Sequence, residues 1–383
     1  MRHGGENDSG ENHGGENDSG GMRSRGRSLR RTFIGLMGVA LVASACAASP
    51  DNDPGARTER PGGGLSALVD PPPATPSGTF RLASTRASMG GCTLYPPDHY
   101  MNAVDVDTLA VDPRSAAWLG DLGGGEDAPV QVTSGMLRDG IRGGTPLNVV
   151  DSRETGFTRV FLNYSYSPRS FPGPYPIPRQ PKVQGHPGAA WDKRLMVVDT
   201  ADCRAYELIQ YDPFIVALTG RHSALAGASY PLNSTAMPEM TTNAPNTPMI
   251  GQYIRADEVM AGEVPHVLAF CSNRISTSHR WPARKSDGQL GGPNSMPMGA
   301  WIRLKSDVNP AAFPPSARPV VETLRERGAV LTDTCGHPFS LLTENSTAWP
   351  IDHLKDLRNL SASDFEVVDS SPMMADPGSF RIR

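Results

Sequence analysis

The sequence predicts a mainly β protein, a β-sandwich or jelly-roll-like domain with one or two peripheral helices. Two observations carry that expectation. From Thr79 onward, short apolar stretches alternate with clusters of Pro, Gly, Asn and Asp, which is the punctuation of many short strands. Helical start and stop signals are scarce by comparison, and strands in bulk with isolated helices favour a sheet-on-sheet core.

Taken in order, the strand candidates are Thr158–Tyr164, Arg194–Asp199, Ala205–Tyr211, Val264–Cys271, Ala300–Leu304 and Ala329–Thr332. The second and third flank the polar stretch Thr200-Ala201-Asp202-Cys203, so they are expected to pair as a hairpin. Pro315–Arg327 is expected to be a helix. Pro and Ser open it, Val320, Val321 and Leu324 share one face, and Gly328 follows its end. A shorter helix is expected near Ile351–Leu357.

Ahead of this domain the chain reads as an export and anchoring device. Residues 1–21 hold a tandem repeat with no apolar residue after Met1, so nothing there drives ordering. They are either a disordered leader or the product of an upstream start, with Met22 as the true one. Residues 22–45 have five arginines, an apolar run from Thr32 to Ala45 and small residues ending at Cys46, the order of a bacterial lipoprotein signal. That run is shorter than the roughly 20 apolar residues a membrane span needs. The expectation is cleavage before Cys46 and acylation of its thiol, with palmitate among the chains, which would hold the protein on the outer face of a bacterial membrane. Arg30-Arg31-Thr32-Phe33-Ile34 fits a twin-arginine core. It fits an ordinary basic n-region as well, and the density of arginines around it favours the latter. Residues 46–78, rich in Pro, Gly, Asp and Ala, read as a flexible tether to a globular domain at 79–383.

Charge and cysteines narrow the classes. The net charge of the whole chain is −4, with no basic stripe, which argues against a nucleic-acid partner. With Cys46 committed to lipid, Cys92, Cys203, Cys271 and Cys335 remain. In an oxidising compartment two disulfides are expected, with the pairing left open. None has CxxC spacing, so no structural metal is expected, and no motif calls for a cofactor.

Several stretches resemble a family of secreted bacterial proteins of undetermined activity with a β-rich domain. They include CTLYPPDHYMNAVDVDTLAVDPRSAAWL from Cys92, GPYPIP at Gly173–Pro178 and RLMVVDTADCRAYEL at Arg194–Leu208. IRADEVMAGEVPHVLAF at Ile254–Phe270, RWPAR at Arg280–Arg284, MPMGAWIRLK at Met296–Lys305 and LRERGAVLTD at Leu324–Asp333 follow in order. The family usually has a basic residue where Trp301 stands, and Asn-Gly where Thr334-Cys335 follow the aspartate. The resemblance implies a β-rich architecture and secretion; it implies no reaction.

For chemistry, GxSxG, SxxK, HExxH and a P-loop are all missing from the sequence. The densest constellation is Asp257-Glu258 with Glu263 and His266, just before an apolar strand. Paired carboxylates of unequal pKa are what glycoside hydrolysis needs, and a histidine entering a strand can act as a base. The candidate catalytic set is therefore Glu258 with Asp105 or Asp333 as second carboxylate, and His266. A charged turn with solvated acids explains the same residues without catalysis. If His266 is buried, it needs a hydrogen-bond partner, and Glu258 eight residues earlier is the natural one. Tyr175 and Trp191, in a loop rich in aromatics, are candidate stacking residues for sugar faces, with Arg303 and Lys305 as candidate polar contacts. Asp98, His99, Asn102, Asp105 and Asp107 form a second polar cluster, either a Ca²⁺ site or a turn bonded to its own backbone. Two functions follow as expectations: a polysaccharide hydrolase or lyase, or a non-catalytic surface lipoprotein that binds glycan or assembles with envelope partners.

Overall fold

Two mixed sheets organise the chain, and the hairpin expected from the sequence lies at the centre of one of them. The computed structural model describes residues 81–135, 137–138, 140–188, 191–240, 242–348 and 354–383. The leader, the signal, Cys46, the whole tether and residues 79–80 of the expected domain lie outside the described residues, as do Trp349 and residues 351–353 of the second expected helix.

The first sheet contains β6 (Leu147–Val150), β8 (Leu195–Asp199), β9 (Arg204–Ile209) and β11 (Ala226–Pro231), in the order β11-β9-β8-β6. β8 and β9 pair antiparallel with Leu195 opposite Leu208 and Asp199 opposite Arg204, while β6 runs parallel to β8. The turn between them is held by Asp199, whose Oδ1 accepts from Ser152 N at 2.9 Å and Ala201 N at 3.1 Å. A disulfide joins Cys203 in this turn to Cys92.

The second sheet contains β3 (Gln131–Val132), β12 (Leu268–Ser272), β13 (Trp301–Leu304), β14 (Ala329–Thr334), β15 (Ser340–Leu341) and β16 (Phe365–Val368), in the order β16-β13-β14-β12-β15-β3. β12 and β14 are parallel, and the other disulfide, Cys271–Cys335, links the ends of that pair. Three minor pairs complete the strands: β1 (Ser88–Met89) with β2 (Cys92–Thr93), β4 (Leu137–Arg138) with β5 (Ile141–Arg142), and β7 (Phe161–Leu162) with β10 (Ser223–Ala224). Strand outweighs helix, so the protein is mainly β with few helices.

Alternation along the strands sorts the core into three clusters. Met196, Val198, Ala205, Ala228 and Tyr230 of the first sheet share one buried cluster with Ala269, Cys271, Trp301 and Val330 of the second. On the opposite face of the second sheet, Leu268, Phe270, Ile302 and Leu331 pack with helices α1 (Ser115–Leu122), α4 (Ala256–Ala261) and α5 (Arg318–Glu326). The opposite face of the first sheet carries Leu195, Val197, Tyr206 and Leu208, covered by Val160, Tyr175, Ile177 and Val183 from the loops.

The expected helix at Pro315–Arg327 forms as α5, three residues shorter at its start, with Pro319 in the first turn and Val320, Val321 and Leu324 buried. Gly328 then turns the chain into β14 at φ +70°, and a Cβ there would lie 2.2 Å from Ile302 O. The strand expected at Thr158–Tyr164 shrinks to the two residues of β7, while Thr158 makes an isolated bridge with Tyr175. Near Ile351–Leu357 the described chain forms a 3-10 turn at Lys355–Asn359. The charged turn expected around Met260 is the last part of α4, closed by Gly262 at φ +85°. Helices α1, α2 (Ser152–Thr155), α3 (Pro213–Thr219) and α4 were not legible in the sequence.

Candidate functional site

Helix α4 brings Glu258 and His266 together as the sequence suggested, and buries both. His266 Nε2 lies 3.1 Å from Glu258 Oε2, and its Nδ1 lies 2.9 Å from Val267 O. Glu258 Oε2 also accepts from Arg255 N at 3.2 Å, and its Oε1 sits 2.8 Å from an Arg255 guanidinium nitrogen. Side-chain exposure is 1% for His266 and 5% for Glu258, so this pair faces no solvent. A buried carboxylate shared between a guanidinium and an imidazole is an ion-paired brace at the helix start, although Glu258 Oε1 and Arg255 Nη1 lack hydrogen bonds among the described residues, and its burial removes Glu258 and His266 as groups that touch a substrate.

Arg255 carries that brace outward. Its Nε donates to Asp257 Oδ1 at 3.1 Å, and its Nη2 donates to Ser88 O at 2.9 Å. Together Arg255, Asp257, Lys182 and Glu344 line a groove of about 840 Å³ whose apolar wall includes Met89, Val149 and Met260. Volume and mixed lining lie within the range of small-ligand clefts. The Asp257 side chain is 73% exposed. Glu344 is tied to the helix through Ala256 N, which donates to its Oε2 at 3.1 Å. Burial pushes the Glu344 carboxyl above its ordinary value; the charge of Asp257 pushes it further, while Arg255 and Lys182 pull it back. Asp257 and Glu344 thus share one groove, the first exposed and the second raised by burial and by the charge of its neighbour.

Sequence reasoning singled out this segment as a charged turn before a strand, whereas it is a helix that sends Asp257 to the groove and Glu258 to the interior. Asp257 was visible beside Glu258, but only the helix assigns one acid to the groove and the other to the interior. Glu344 and Lys182 carried no motif signal, since both reach the groove from loops distant in sequence.

The remaining candidates are dispersed. Asp333 Oδ2 accepts from Arg194 Nη2 at 3.2 Å, and Asp192 accepts from the same nitrogen at 2.8 Å. Burial, aided by Asp192 and Asp287, raises Asp333 to about 7 despite the guanidinium. Trp191, half-buried, directly precedes Asp192. Asp105 is held by Arg81, at 2.7 and 3.1 Å. Arg303 is spent on Val106 O, Leu109 O and Glu366, which ties β13 to β16 and leaves no donor role at a ligand. Lys305 Nζ donates to Ser363 O at 2.6 Å and lines a separate groove of about 680 Å³ with Asp127 and Glu366. Tyr175 is core: it is 1% exposed, stacks edge-on with Phe171 and Tyr206, and donates from Oη to Phe171 O. It offers no face to a sugar. The second polar cluster is likewise taken apart, with Asp98 paired to Arg381 and the Asn102 amide donating to the carbonyls of Leu94, Tyr95 and Pro96.

No family model, no curated protein and no solved structure matches this chain.

Proposed function

We propose that this protein is an exported, lipid-anchored protein of the bacterial envelope whose domain, layered as a β-sandwich, hydrolyses polysaccharide in the groove at α4. The observation that carries the reading is the pairing of Asp257 and Glu344 along one groove, with Glu344 raised by burial and by its neighbour. Glu344 is the proton donor to the leaving oxygen, and Asp257 is the nucleophile or the base for water. Arg255 and Lys182 orient the chain of sugars. Behind them, Glu258 and His266 fix Arg255, which makes them positioning residues. The order of arginines, apolar run and Cys46 supports export and anchoring, and the buried cluster shared by both sheets supports the layering.

A non-catalytic lipoprotein that binds glycan is the second reading. It is favoured by the dispersal of Glu258, Asp105 and Asp333 into three separate ion-paired settings. The two part company in one assay. Purified protein is incubated with envelope and plant polysaccharides, and new reducing ends are measured. The hydrolase reading expects release that Glu344→Gln and Asp257→Asn abolish while both variants stay folded. Binding of a polysaccharide without release by the wild type would establish the second reading instead.

A further inference from the structure

Helix α3 is built as a well-formed helix and then left outside. Asp212 caps its start by accepting from Phe214 N at 2.9 Å, Pro213 occupies its first turn, and Gly220 closes it at φ +67°. Its sequence, Pro-Phe-Ile-Val-Ala-Leu-Thr, has no charge, yet none of its residues is buried. Phe214 is 62% exposed and Leu218 73% exposed, with Ile215 beside them at 41%. The edge that follows continues the surface. Phe161 of β7, also exposed, pairs with β10 directly after this helix, and the guanidinium of Arg221 lies 3.7 Å from its ring centroid. Arg159 approaches the same ring at 5.4 Å. Neither arginine is paired with a carboxylate among the described residues.

We propose that this face docks on an anionic phospholipid surface, with the α3 side chains entering the headgroup boundary and Arg159 and Arg221 meeting lipid phosphates. Exposed apolar residues grouped on one helix mark an interaction surface. Apolar side chains flanked by unpaired arginines fit a bilayer interface, where each group finds its own layer. Length supports the same occupant. The 33 residues from Cys46 to residue 78, read from the sequence as a tether, are few enough to keep the domain near the membrane proposed to hold Cys46. The inference rests on the membrane-anchored reading for its setting, but not on the reaction.

The test uses the full chain carrying Cys46→Ser with both disulfides intact. A fluorophore is attached through Leu218→Cys or, as control, through Glu322→Cys on the exposed side of α5. Phosphatidylcholine vesicles with and without phosphatidylglycerol carry a spin-labelled lipid as quencher. Docking predicts several-fold stronger quenching at position 218 than at 322, present with phosphatidylglycerol and lost when Arg159→Gln and Arg221→Gln are combined. Equal quenching at the two positions overturns the proposal. So does a concentration-dependent dimer that Phe214→Ser abolishes, which would make a second copy the occupant. Because the acylated thiol is removed throughout, failure here is distinct from failure of lipid attachment, which metabolic labelling with a fatty acid reads separately.

Discussion

Asp257 and Glu258 are neighbours in sequence with opposite fates, and the difference is measurable. Glu258 is enclosed with Arg255 and His266, so removing its imidazole partner leaves a buried carboxylate with one contact fewer. His266→Ala is expected to cost about 1–3 kcal/mol, whereas Asp257→Asn at an exposed position should stay within about 0.5 kcal/mol. Urea unfolding of both variants checks this; equal losses would mean that the buried brace is not as described. A second residue-scale effect concerns Asp333. Its carboxyl is raised to about 7, so between about pH 4 and 7 the folded protein binds a proton that the unfolded chain has released. Stability from this group is therefore present at low pH and declines as pH rises through that window. Relative to Asp333→Asn, the wild type should lose stability from pH 4 to 7, and parallel curves for the two proteins would refute the assignment. The pairing of Glu258 with His266 was legible because a polar residue in an apolar strand needs a partner. That the pair faces inward was not, since burial depends on how α4 packs.

At the scale of elements, local signals were read well where the chain supplies its own geometry. The β8–β9 hairpin follows from two apolar runs around a polar turn, and α5 from its proline, its one apolar face and Gly328. Gly328→Ala should destabilise by more than the roughly 0.5–1 kcal/mol of an ordinary helix glycine exchange, because a Cβ meets Ile302 O as well as the unfavourable φ. A loss no larger than that would argue against the tight α5–β14 turn. Helices α3 and α4 were missed for different reasons. α4 begins at Ala256 and is capped by Arg255, which is not one of the usual capping side chains. α3 has the right cap and stop, but its uninterrupted apolar residues read as a strand as readily as a helix.

For the whole molecule, the parts that sequence could not supply are those set by long-range closure. Two disulfides were expected with three pairings open, and the structure joins Cys92 to Cys203 and Cys271 to Cys335. The first closes a separation of 111 residues, so replacing both of its cysteines should cost about 2–5 kcal/mol. The groove is a long-range product too: Lys182, Arg255 and Glu344 come from three separate segments, which no spacing rule connects. The central claim, that Glu344 donates a proton there, is tested most directly by the pH profile of polysaccharide cleavage in wild type and Lys182→Gln. The charge of Lys182 holds the Glu344 carboxyl down, so removing it raises that carboxyl further. A required protonated Glu344 makes the basic limb of the profile move to higher pH in the variant. A basic limb that stays in place or moves to lower pH, or cleavage that persists in Glu344→Gln, would contradict the account.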